Sequence, residues 1–135
     1  MTAPPPLRIA RGPGAAGEAI AYVRRFAERE ALAEADTLAV IVEELVCNLV
    51  EHGCGDAGGD IELALWREAG GTHLRLCDGC DPFDPRDAPQ PELPPERGGG
   101  GGLAIVRAWT RVLGYARADG RNRLDLLVPD ERGGN

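Results

Sequence analysis

Two stretches of this chain alternate between apolar and other residues at every second position, and they limit the folds open to it. Ile61, Leu63 and Leu65 alternate with Glu62, Ala64 and Trp66; past Gly70-Gly71 the alternation resumes from Thr72 to Cys77 around Leu74 and Leu76. A period of two is strand periodicity, and glycines between two such runs signal a hairpin. A second hairpin is predicted from Val112 to Ala118 and Arg123 to Val128, turning at Asp119-Gly120-Arg121-Asn122. Leu7-Arg8-Ile9 reads as an edge strand. Three other segments have helical spacing. One runs from Glu18 to about Ala33, with Ile20, Val23, Phe26 and Ala27 inward. The next starts at a predicted N-cap, Asp36, and runs to about His52, striped by Leu38, Ile41, Val42, Leu45, Val46 and Leu49 and stopped by Gly53 and Gly55. The last covers Leu103 to about Arg111, with Leu103, Val106 and Trp109 inward. The order helix, helix, hairpin, helix, hairpin predicts an α+β two-layer sandwich, its antiparallel or mixed sheet covered on one face by helices.

A length of 135 residues suits one domain, residues 1–135. Aromatic residues are only 4%, so the core has to come from Leu, Val, Ile and Ala. No run of about 18 apolar residues exists to span a membrane, and Met1-Thr2-Ala3-Pro4-Pro5-Pro6 has no signal-like character. A cytoplasmic protein is expected. The formal net charge of −7 argues against broad nucleic-acid binding. All fifteen basic residues are Arg, and the chain has neither Lys nor Ser. A Walker-type phosphate loop, a eukaryotic-type protein kinase, serine hydrolysis and Schiff-base chemistry are therefore excluded.

The four cysteines are Cys47, Cys54, Cys77 and Cys80. Cys77-Asp78-Gly79-Cys80 has the spacing of half a zinc site or of a redox pair, but no second pair repeats it. The expected state is four reduced cysteines packed as small apolar residues.

Three features carry chemistry. Glu44 and Asn48 lie one turn apart on the apolar helix. A carboxamide oxygen can hold a hard cation and a carboxylate can take a proton; the plainer alternative is the solvent edge of an amphipathic helix. Asp78 ends a strand, where it can accept from a ligand's amino group or simply cap a turn. Residues 79–102 show no periodicity and end in Gly98-Gly99-Gly100-Gly101-Gly102, directly before a helix. Helix N-termini with glycine backbone approach phosphates closely, although a flexible linker has the same composition.

Together and in this order, the three resemble the nucleotide site of the gyrase, heat-shock chaperone, histidine kinase and mismatch-repair ATPases, the Bergerat fold. Within that superfamily the chain looks most like the small anti-sigma factors that act as serine/threonine switch-protein kinases. The matching segments are Glu44 to Asn48 with His52-Gly53, Asp78 through Pro82-Phe83-Asp84-Pro85, Gly99 to Val106, and Asp119 to Leu124. The resemblance implies that Asn48 holds Mg²⁺ on ATP and that Glu44 is the general base for a substrate hydroxyl. It implies that Asp78 binds the adenine amine, with Cys80, Phe83 and His52 near the pocket. It also implies that Arg97, Gly98, Gly99, Gly100, Gly101, Gly102 and Leu103 meet the phosphates under a lid. Its expected partners are an anti-sigma factor antagonist of the STAS type and a sigma factor, with homodimer formation left open and no direct contact with nucleic acid or membrane. A non-catalytic, nucleotide-responsive binding module on the same fold is the alternative. The chain departs from the family pattern at Cys80, where glycine is usual, at Gly101, where leucine is common, and at Asn122, near a common Gly-Thr.

Overall fold

A computed structural model describes residues 3–53, 59–82, 86 and 101–130. In chain order the elements are β1 (Leu7–Ile9), α1 (Ala15–Arg29), α2 (Ala35–Asn48), a π-helical turn (Leu49–Gly53), β2 (Ile61–Glu68), β3 (Gly71–Asp78), α3 (Gly101–Trp109), β4 (Arg111–Ala118) and β5 (Arg121–Pro129). The strands form one sheet in the order β1-β2-β3-β5-β4, and every pairing is antiparallel. This is the α+β architecture the periodicities require.

Parity sorts the sheet residues. Ile61, Leu63 and Leu65 of β2, Leu74 and Leu76 of β3, and Leu124, Leu126 and Val128 of β5 share the inward face. They meet Ala19, Val23 and Phe26 of α1 and Leu38, Ile41, Val42, Leu45 and Val46 of α2 in one core. Each such aliphatic side chain contributes roughly 1.5–3 kcal/mol on burial. β1 pairs only with residues 61–63, and the Leu65 N–H beyond its end donates to the Tyr22 hydroxyl at 3.3 Å. An unpartnered backbone group in the sheet is thereby avoided.

The boundaries differ from expectation for physical reasons. α1 spans Ala15–Arg29 rather than beginning at Glu18. It closes with Leu32 N–H donating to Ala27 C=O and Ala31 N–H to Glu28 C=O, a Schellman arrangement that puts Ala31 at φ 53°, where glycine is usual. The N-cap of α2 is Glu34, without a side-chain cap bond; Asp36 lies in the first turn and pairs with Arg24 at 2.7 Å. Regular α-helix ends at Asn48 and the π turn follows, so the single helix expected as far as His52 is two pieces. The first hairpin turns at Ala69-Gly70, and Gly71 already belongs to β3, where a Cβ would collide with the Val128 carbonyl oxygen. The second turns on two residues, Asp119 (φ 55°) and Gly120 (φ 75°), both in the left-handed region that a tight type I′ hairpin demands. Arg121 and Asn122 thus belong to β5 instead of the turn.

The β4–β5 ladder is irregular at one point. Its register shifts between Val112 and Gly114, leaving Leu113 as an extra residue. Such a bulge reverses parity along the bulged strand. Val112 is inward before it; Tyr115 and Arg117, opposite Leu124 and Asn122, are inward after it.

Candidate nucleotide site

Glu44 and Asn48 sit half-buried in the last turns of α2, among the buried Ile41, Leu45 and Val46. Neither takes a hydrogen bond from any described residue. Burial, together with the neighbouring carboxylates of Glu43 and Glu51, holds the Glu44 carboxyl above its ordinary range. A carboxylate with raised proton affinity is a better base. The same surroundings push the Cys47 thiol up, so Cys47 is not a reactive thiolate. α3 packs against α2.

Asp78 ends β3 on the inward face, in the parity of Leu74 and Leu76, and is 6% exposed. Its Oδ1 accepts from the Cys80 N–H at 2.9 Å and from Asn122 Nδ2 at 2.9 Å. No described residue donates to Oδ2, and no buried side-chain polar atom among the described residues goes unpartnered, so Oδ2 is accessible to solvent with an open acceptor. Asn122 stands opposite Asp78 in the β3–β5 register, and Arg117 stands opposite Asn122 in the β5–β4 register. Asp78, Asn122 and Arg117 therefore form one polar row across three strands at one end of the inward face. Arg117 Nη1 donates to Asn122 Oδ1 at 2.8 Å and to the Cys80 carbonyl at 2.8 Å.

Cys80 is 2% exposed and disulfide-bonded, while Cys47 and Cys77 are free thiols. The expectation of four reduced cysteines is thus corrected at Cys80. The Cys77–Cys80 spacing makes neither a bond between the two nor a metal site, and among the described residues no group of three His, Cys, Asp or Glu gathers to hold an ion. Cys80 reaches the Asp78 cluster through its backbone.

Asp78 and Cys80 are brought into direct contact, and Glu44 and Asn48 share one helix end. No hydrogen bond or ion pair among the described residues joins the α2 pair to Asp78. Gly101, Gly102 and Leu103 form the first turn of α3, and His52 falls in the π turn. Phe83, Arg97, Gly98, Gly99 and Gly100 lie outside the described residues.

A model of the histidine kinase-like ATPase domain matches residues 9–128. The chain belongs to this family. No curated protein matches it. The match spans both long helices, both hairpins and the glycine run, so this sheet is that of a histidine kinase-like ATPase domain, and ATP binding is its implied property. Among the described residues no helix of this domain is long and apolar enough to cross a membrane.

Tyr115 and Arg117 escaped the sequence reading, and Asn122 entered it as a turn residue and as a departure from the family pattern, not as a partner of Asp78. Asn122 did leave a signal, since it keeps the inward parity of Leu124, Leu126 and Val128 while being polar. The bulge at Leu113 hid the other two.

Proposed function

We propose that this domain is an ATP- and Mg²⁺-dependent serine/threonine protein kinase of the anti-sigma type. It would phosphorylate a STAS-type antagonist protein, sequester a sigma factor, or do both. The observation that carries the reading is the pair Glu44 and Asn48, one turn apart at the end of an otherwise apolar helix, half-buried and without a hydrogen-bond partner among the described residues. A helix used only for packing has no need of a carboxylate with raised proton affinity there.

The residues present fit a magnesium nucleotide. Asp78 Oδ2 is an open acceptor for an exocyclic amine. Asn48 supplies one neutral oxygen, and in the absence of a carboxylate cage among the described residues a magnesium ion would take its remaining ligands from phosphate and water. Bound there, the ion supplies charge neutralisation for phosphoryl transfer. Glu44 holds the proton of the substrate Ser or Thr hydroxyl at its carboxylate and orients that hydroxyl. On this reading the backbone from Gly98 to Leu103 would meet the phosphates, Arg97 would add charge, and His52, Cys80 and Phe83 would border the nucleotide.

The alternative is a module that binds nucleotide without transfer. The Cys80 turn, fixed by a disulfide and by donation from Arg117, serves either reading, because a fixed turn suits a permanent pocket wall as well as a working one.

Calorimetric titration with ATP, with and without Mg²⁺, tests the site, with Asn48→Ala alongside. Mg²⁺-dependent binding that Asn48→Ala weakens at least about tenfold is expected; Mg²⁺-independent binding would remove Asn48 as the ion's ligand. Glu44→Ala separates the two readings: transfer to a Ser- or Thr-bearing antagonist falls by about 10²–10⁴ with ATP binding retained. Absence of transfer in the unaltered protein, with ATP bound, would leave the non-catalytic module.

A further inference from the structure

We infer that Asn122, held by Arg117 and Tyr115, is a specificity-determining positioning residue: it locks Asp78 so that a single acceptor oxygen, Oδ2, is presented to the 6-amino group of a purine. This role rests on the proposed nucleotide function. Asn122 is 4% exposed, and its side chain is saturated. Its Nδ2 donates to Asp78 Oδ1 at 2.9 Å, to the Cys80 carbonyl at 3.2 Å and to the Asp81 carbonyl at 3.0 Å. Its Oδ1 accepts from the Tyr115 hydroxyl at 2.5 Å and from Arg117 Nη1 at 2.8 Å. With nothing left to offer a ligand, Asn122 acts through Asp78.

The chemistry of the neighbours allows only one orientation of this amide. A guanidinium has donors and no acceptor, and an ionised carboxylate has acceptors and no donor. Turning the amide over would aim its NH₂ at Arg117 and its oxygen at the Asp78 carboxylate, losing both bonds. Arg117 therefore sets the end of Asn122 that meets Asp78. Through the Cys80 carbonyl it also fixes the turn whose N–H fills the same Asp78 oxygen. With Oδ1 occupied twice and the side chain unable to rotate, Oδ2 is a fixed acceptor. A 6-amino purine can donate to it, whereas a 6-oxo purine puts an oxygen against an oxygen. If Asp78 were free to turn, the discrimination would blur.

The test compares ATP with inosine triphosphate, whose base carries a 6-oxo group and an N1–H in place of the 6-amino group and bare N1, by Mg²⁺-supplemented calorimetry on the full chain. Unaltered protein favours ATP. Arg117→Met lowers ATP affinity about tenfold and inosine triphosphate affinity little, so the preference collapses. Tyr115→Phe, which removes one of two donors to Asn122 Oδ1, gives a smaller loss, about threefold. Arg117→Lys restores part of the preference by returning a cationic donor. Melting curves establish that each variant is folded, and Arg117→Met and Tyr115→Phe carry the test if Asn122→Ala does not fold. A merely structural role would weaken both nucleotides equally and leave their ratio unmoved. An unchanged ratio in folded Arg117→Met, with Asp78→Asn abolishing it, overturns the positioning role and leaves the nucleotide site standing. Failure of the unaltered protein to bind either nucleotide overturns both.

Discussion

Asp78 and Asp125 are both buried aspartates of the same sheet, 6% and 8% exposed, on opposite faces. Asp125, on the face without helices, is surrounded by positive or protonatable groups. Its Oδ1 accepts from His73 Nε2 at 2.6 Å and Arg75 Nε at 2.8 Å, and its Oδ2 meets Arg123 Nε at 3.3 Å. His73 is bonded in turn to Glu68 at 2.9 Å and stacked on Trp66 with ring centroids 4.0 Å apart, and Arg75 lies over Trp66. Every group in that cluster has its partner within the chain. Asp78 is held on one oxygen only, by neutral N–H groups, and its other oxygen is open. A buried carboxylate that uses all its acceptors internally stabilises a fold; one that keeps an acceptor free is available to a ligand.

Four substitutions probe this contrast, in descending order of effect. Asp125→Ala leaves His73, Arg75 and Arg123 without their shared anion. After allowance for the exposure of the two arginines, it costs about 2–3 kcal/mol in urea unfolding and leaves nucleotide affinity alone. Loss of ATP binding at unchanged stability would make Asp125 the ligand group and reverse the comparison. Asp78→Asn keeps an oxygen for the Cys80 and Asn122 donors but turns the open acceptor into a donor. ATP affinity should then fall by about ten- to a hundredfold while the melting temperature barely moves. A large stability loss with ATP binding retained would put Asp78 in the same class as Asp125.

Ala31→Gly tests a strain remote from both aspartates. The left-handed conformation at φ 53° disfavours Ala, so glycine should stabilise by about 0.5–1 kcal/mol without altering ATP affinity. A destabilised variant would show that the Ala31 methyl group packs more than it strains.

The smallest effect concerns Glu44, a carboxylate with an ordinary value of 4.5 raised by burial and by the charges of Glu43 and Glu51. The folded protein binds this proton more tightly than the unfolded chain. Its stabilising contribution is therefore complete below the ordinary value and is lost as pH rises through the raised one. Glu44→Gln should unfold like the unaltered protein in acid and be a few tenths of a kcal/mol more stable at neutral pH. A variant less stable at neutral pH would mean that Glu44 is paired in the fold, as Asp125 is, and does not stand open.

The legible and illegible parts of the molecule divide along these same strands. Asp78 was readable because it closes the alternation Thr72, Leu74, Leu76 at a strand end, and Glu44 and Asn48 because they interrupt an apolar stripe. The parity of β2, β3 and β5 follows directly from alternating residues. On β4 the same rule fails: extended from Val112 without interruption, it sends Tyr115 and Arg117 outward, and nothing in Val112-Leu113-Gly114 announces that Leu113 stands outside the ladder. The π turn after Asn48 was hidden for a related reason, since apolar spacing fixes which side of a helix is buried more firmly than where its hydrogen-bond pattern changes.

Element types, the inward faces of both long helices and of three long strands, and the superfamily were all written in the order of residues, because they depend on periodicity and on groups close along the chain. Folding in three dimensions was needed to stand Asn122 between Asp78 and Arg117, to close off Asp125 with three basic side chains, and to put Cys80 in a disulfide. The first two outcomes depend on register between strands distant in sequence, and a one-residue bulge is enough to move every later side chain of β4 to the opposite face.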